Sequence, residues 1–261
     1  MPPVFLPDLR LNATLQGPPG APVLVLIHAL GTSLALWDGV AAQLPRHRIL
    51  RLDLRGHGAS DVPPAPYAMG ALVRDVERLI DHFGLTETVV AGVSLGGMIA
   101  QGLAVKRLDL VRGLVLSNTA ARIGTAAQWQ DRIATVREQG LEALADATME
   151  RWLGRGWRDN PAMPGLRAGF VRTDPQGWMG CAAAIAGTDF YETTATLRLP
   201  TLAIAGANDG STPPDLVRET AGLIPGARFQ LIRGAGHLPM AEKPGEYAAI
   251  LGAFLCDIGH G

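Results

Sequence analysis

The sequence predicts an α/β fold: a mostly parallel central sheet with helices on both faces and an all-helical segment inserted between two late strands. Two observations carry this expectation. Short β-branched or leucine-rich runs alternate with longer segments of helical period along most of the 261 residues. One long interval, 120–187, breaks the alternation and holds helical segments only, punctuated by Gly and Pro.

The strand candidates are 23–27, 49–53, 88–91, 113–116, 201–205 and 228–232. Each is a short β-branched or leucine-rich run set between longer segments of helical period. Between them, 34–44, 71–83, 95–107, 213–224 and 241–255 space apolar residues three and four apart, as in Leu72, Val76, Leu79, Ile80 and Phe83, and read as covering helices. The expected organisation is a core domain of 1–119 and 188–261 and a helical cap domain of 120–187. Trp129, Trp152, Trp157 and Trp178, four of the five tryptophans, fall in the cap. Singly each would glue helices together; jointly they would roof an apolar pocket.

Bulk properties narrow the function. Lys+Arg 23 against Asp+Glu 24 gives neither a nucleic-acid footprint nor a polybasic membrane patch, so the expected partner is a small molecule. The first residues have no basic segment followed by an apolar run, and the longest apolar stretches are too short to span a bilayer. Cys181 and Cys256 are far apart with no metal-ligand spacing, and read as buried free thiols. A cytoplasmic protein is expected. Asn12-Ala13-Thr14 matches a glycosylation sequon that, without a secretion signal, reads as chance.

The chemistry centres on Gly92-Val93-Ser94-Leu95-Gly96, a G-x-S-x-G pattern between a strand candidate and a helix candidate. A strand turning sharply into a helix strains its apex residue, and small residues two positions either side let the two elements approach. The turn would lift the Ser94 hydroxyl above the sheet and free the Leu95 amide at a helix N-terminus, where a developing oxyanion is stabilised. The alternative reading of Ser94 is a small residue in a tight turn.

A serine needs a base, and the base an orienting acid. His237, in the flexible stretch Gly234-Ala235-Gly236-His237-Leu238-Pro239 between the last strand and last helix, is the candidate base. His47 and His82 read as surface residues, His260 as frayed, and His28 and His57 as structural. Asp209 follows strand 201–205 and fits the chain order Ser, Asp, His. Its rival Asp215 follows Pro213-Pro214 and would serve a helix start; Asp209 itself could be only a turn residue before Gly210. The second oxyanion donor would be the Leu30 amide in His28-Ala29-Leu30-Gly31, with Gly31 giving the loop room to turn.

His28-Ala29-Leu30-Gly31, Asp53-Leu54-Arg55-Gly56-His57-Gly58-Ala59-Ser60, the serine pentapeptide, the Asp209 loop and Gly236-His237-Leu238, in this order, resemble the α/β-hydrolase superfamily over nearly the whole chain. Within it, Ser117 to Thr125, Trp129, Cys181 to Ile185, and 205–214 resemble the 3-oxoadipate enol-lactonases of the β-ketoadipate pathway. Cys181-Ala182 stands where that family often has paired cysteines, and Ala29 where many relatives have glycine.

The resemblance implies hydrolysis of 3-oxoadipate enol-lactone, a ring ester with a free carboxylate, by Ser94, His237 and Asp209, in aromatic catabolism. No metal or cofactor is expected. The carboxylate needs a cation or amide dipole, for which Arg122 is the candidate, its alternative reading being a solvated surface arginine, and Trp129 is the candidate pocket wall. The alternatives are a carboxylesterase, perhydrolase or carbon–carbon bond hydrolase of the same fold, and more remotely a non-catalytic ligand receptor.

Overall fold

A computed structural model describes residues 3–157 and 159–261. Its main sheet has seven strands in the order β3 (Ala13–Gln16), β5 (Arg48–Leu52), β4 (Val23–Ile27), β6 (Thr88–Val93), β7 (Val111–Ser117), β8 (Thr201–Gly206) and β9 (Arg228–Ile232). All neighbours pair in parallel except β3, which runs antiparallel to β5. Every residue of β6 and β8 is buried, which explains why these strands read as continuous apolar runs without alternation.

The predicted strands all form, with ends moved by a residue or two. Three strands were not anticipated: β1 (Val4–Leu6) and β2 (Leu9–Leu11), which make a separate antiparallel hairpin, and β3. At three or four residues each they carry too little alternation to stand out in a sequence. Two predicted helices are broken. Segment 34–44 becomes a 3₁₀ turn, Leu34–Trp37, and a short helix, Asp38–Ala41. Segment 241–255 becomes Pro239–Glu242 and Pro244–Asp257, because Pro244 has no N–H to donate and pushes Lys243 to φ −142, ψ 61.

Three side chains lie elsewhere than expected. His47 and His260 are both 6% exposed, not at the surface. His260 Nε2 bonds the Val23 carbonyl at 2.9 Å and His47 Nε2 bonds the His260 carbonyl at 3.0 Å, tying the last helix to the base of the sheet. Cys181 is buried as expected, but Cys256 is exposed.

After β4 the chain crosses to β5 on one side and later returns to β6 on the other, so a crevice opens beyond the carboxyl ends of β4 and β6. The Leu30 loop follows β4 and Ser94 follows β6. Over this end lies the segment between β7 and β8, whose helices include Ala126–Gln139, Glu142–Trp152, Met163–Val171 and Pro175–Ala186. A capping box of Thr125 and Gln128 starts the first of these, and the Asp174 carboxylate caps the last. Among the described residues no helix is long and apolar enough to cross a membrane.

Candidate active site

Ser94 is the apex of the turn between β6 and the helix Leu95–Lys106, with φ 56 and ψ −119. For a residue with a side chain this is a strained conformation, held at a cost of about 1–3 kcal/mol by its surroundings. The Ser94 amide donates to the Ser117 carbonyl at 3.0 Å, and Thr119 Oγ1 donates to the Ser94 carbonyl at 2.6 Å. The flanking glycines are required sterically: a Cβ on Gly92 would strike the Gly96 carbonyl, and one on Gly96 the Ile27 carbonyl. The expected packing is therefore real, and its effect is to aim Ser94 at a cavity.

Ser94 and His237 line that cavity together, a space of about 230 Å³. His237 Nδ1 donates to Asp209 Oδ2 at 2.8 Å, and both side chains are almost wholly buried. No hydrogen bond joins Ser94 Oγ to His237 among the described residues; such contacts are often long in a ligand-free site and tighten with substrate.

Asp209 is held from several sides. Asn118 Nδ2 and Thr212 Oγ1 each donate to its Oδ2 at 2.7 Å, while the Ser211 and Thr212 amides donate to Oδ1 at 2.7 and 3.1 Å. Burial alone would raise the Asp209 carboxyl; the charge on His237 and hydrogen bonds from His237, Asn118 and Thr212 outweigh it and hold the group below its ordinary value. Asp215 lies in the first turn of the helix Pro214–Gly222.

The Leu30 loop is built by two histidines. His57 Nε2 accepts the Gly31 amide at 2.9 Å, which leaves its proton on Nδ1, facing the Arg55 carbonyl at 3.2 Å. His28 Nε2 accepts the Leu54 amide at 2.9 Å and its Nδ1 donates to the Ala29 carbonyl at 2.7 Å. Asp53 Oδ1 receives the Leu34 amide at 2.8 Å. The two loops thus hold each other, and only neutral imidazoles can make these bonds. Burial, reinforced by the neighbouring His28, pushes His57 down from 6.5 to about 3. Gly31 takes φ 76, as the turn demands. Among the described residues neither the Leu30 nor the Leu95 amide donates to a protein acceptor.

Trp129 is on the cavity wall, with Trp152 and Trp178. Arg122 is not. Backbone alternation at the entrance turns Ala121 and Ile123 inward and Arg122 outward, where it lies 3.3 Å from Asp189 in a separate shallow depression, its side chain 53% exposed. The cavity's cations are Arg132 and Arg151. Arg132 stacks over the Trp129 ring at 4.8 Å, and Arg151 reaches Thr148 Oγ1 at 3.3 Å. Among the described residues neither forms an ion pair. Burial lowers both guanidiniums from their ordinary values; the charge of Arg151 lowers Arg132 further, while Glu150 partly offsets the effect on Arg151.

Sequence reasoning missed Arg132, Arg151, Asn118 and Thr212 as site residues. The helical period offered one usable signal: Arg132 lies three positions after Trp129, on the same helix face. A second, larger cavity of about 840 Å³ adjoins the first, and the Phe170 ring lines both. That ring packs on the Leu30 loop so closely that a Cβ on Gly31 would lie 2.6 Å from it.

A parallel sheet with a strained serine elbow facing a histidine–carboxylate pair defines a class, and comparison with known proteins agrees. Residues 22–244 match the family model described as alpha/beta hydrolase fold, and the chain belongs to that family. It is 34% identical over 208 residues to 3-oxoadipate enol-lactonase 2 of Acinetobacter baylyi, covering 78% of each chain. With 3-oxoadipate enol-lactonase 1 of the same organism it shares 30% over 252 residues, 95% of this chain and 94% of the other. The crystal structure of the enol-lactonase from Burkholderia xenovorans LB400 superposes with a TM-score of 0.94 at 33% identity, covering 98% of this chain and 100% of the other.

Proposed function

We propose that this hydrolase opens 3-oxoadipate enol-lactone or a closely similar small anionic lactone, with Ser94 as nucleophile, His237 as base and Asp209 as its orienting acid. The observation that carries the reading is the shared cavity: Ser94 and His237 face the same space as two half-buried arginines that form no ion pair among the described residues. Two desolvated like charges are relieved by an anion between them, so a substrate with a free carboxylate fits and a neutral ester wastes the arrangement. The volume, below the usual range for drug-sized ligands, suits a small acid.

His237 Nε2 takes the Ser94 proton as Oγ attacks the lactone carbonyl. The Leu30 and Leu95 amides receive the oxyanion, each worth about 3 kcal/mol. Collapse of the tetrahedral adduct breaks the ring C–O bond, and the enol, protonated by His237, tautomerises to the ketone. Water, deprotonated by His237, then frees the acyl group and restores Ser94. Segment 120–187 acts as the cap that closes the pocket, and the reaction belongs in cytoplasmic aromatic catabolism.

The test follows the ultraviolet absorbance of freshly generated enol-lactone. The parent should hydrolyse it and Ser94→Ala should not. Turnover of an uncharged carboxylic ester with none of the lactone would point to an esterase instead. Failure of Ser94 to react with a fluorophosphonate would point to a receptor.

A further inference from the structure

Glu242 is a buried carboxylate, 8% exposed, that the mechanism above does not use. Its Oε1 accepts the Gly236 amide at 2.8 Å and the Leu238 amide at 3.4 Å, the two amides that flank His237. Its Oε2 accepts the Gly154 amide at 2.8 Å, from just past the helix Glu142–Trp152 of the insertion. No lysine or arginine among the described residues pairs with it, so N–H dipoles carry most of its compensation. Burial accordingly keeps the carboxyl above its ordinary range, with those amides and the charge on His237 pulling the other way.

The same short stretch of insertion grips the base and acid loops elsewhere. The His237 amide donates to the Trp152 carbonyl at 2.5 Å, and the Gly210 amide, one residue past Asp209, to the Arg151 carbonyl at 2.9 Å. The Trp152 indole stacks on the imidazole at 5.8 Å between centroids, tilted by 27°. Trp157 Nε1 donates to the Glu242 carbonyl at 3.1 Å. Gly154 and Gly236 sit where a Cβ on either would strike backbone from the other side.

We propose that Glu242 is a positioning residue that sets the His237 imidazole, by holding both flanking amides in register with Gly154 of the insertion. It touches no reacting atom. An isolated buried carboxylate is expensive, and an amide side chain of the same shape could not replace it, having one acceptor oxygen for donors on two sides. The proposal rests on His237 being the base for Ser94.

The experiment measures Glu242→Gln and Glu242→Asp beside the parent and Ser94→Ala. The expected result for Glu242→Gln is a kcat lowered by about 10- to 100-fold, as small misplacements of a catalytic group produce, with KM within about twofold. Fluorophosphonate labelling of Ser94 should slow in step, while circular dichroism reports a folded chain. Glu242→Asp, which keeps the charge but shortens the reach, should recover part of the kcat. The proposal is overturned by a Glu242→Gln kcat within twofold of the parent, or by a loss no larger than the fraction of unfolded protein. Turnover surviving in Ser94→Ala would instead overturn the nucleophile itself.

Discussion

The two halves of the site are built differently. On the sheet side, Ser94, the Leu30 loop and the Asp209 loop are fixed by backbone: a positive φ at the elbow, glycines that admit no Cβ, and amide bonds to His57, His28 and Asp53. On the insertion side, Trp129, Arg132, Arg151 and Phe170 are presented to the pocket as side chains from helices. On the proposed function the sheet side supplies the chemistry, while the insertion supplies recognition side chains and, through residues 151–154, backbone that grips the Asp209 and His237 loops. The difference explains how one scaffold can serve many substrates.

Four measurements test that division. The largest effect is expected at Asp209→Asn, where a neutral amide spoils the tautomer of His237 and kcat should fall by about ten-thousand-fold with the fold intact. A loss of less than tenfold would break the picture of the sheet side as the seat of catalysis. Next, Arg132→Ala and Arg151→Ala should each raise KM by about 10- to 100-fold, roughly the worth of a charge-assisted bond, with kcat within a few-fold. A kcat effect without a KM effect would assign these arginines to the reaction rather than to recognition.

Third comes stability against pH. The unfolded chain takes up a proton at His57 below pH 6.5, whereas the folded chain does so only near 3. Stability is therefore lost as pH falls through that window, by about 1.4 kcal/mol per unit from this group. Urea titrations should show His57→Gln to be less stable than the parent at neutral pH but flatter between pH 6.5 and 4; parallel slopes would remove His57 as the cause. The smallest effect belongs to Arg122→Ala, whose exposed ion pair with Asp189 lies outside the cavity: KM should stay within twofold.

What could be read in advance follows the same division. The strands 23–27 and 228–232, the serine elbow and the order Ser94, Asp209, His237 are properties of local pattern, and local pattern is what a sequence displays. Side-chain direction at the insertion is not. Arg122 and Arg132 are both arginines beside Trp129, and only the packed turn decides that Ile123 points in and Arg122 out. Asn118 and Glu242 act across 91 and 88 residues of chain, on Asp209 and Gly154, distances over which no periodicity speaks. His47 and His260 were misread for the same reason, since each is buried by the other's neighbourhood. The hairpin of β1 and β2 was missed because strands this short have no pattern to read.

Phe170 adds a different kind of consequence. The cavity of about 230 Å³ and its neighbour of about 840 Å³ have this one aromatic ring on the wall of both. Its backbone lies in the helix Met163–Val171, and the ring rests against Gly31 of the Leu30 loop. Trimming that ring would join the two spaces into one longer pocket, and it would also withdraw the contacts the ring makes with Gly31 and Trp152, so pocket length and the packing of the Leu30 loop are tied to one side chain.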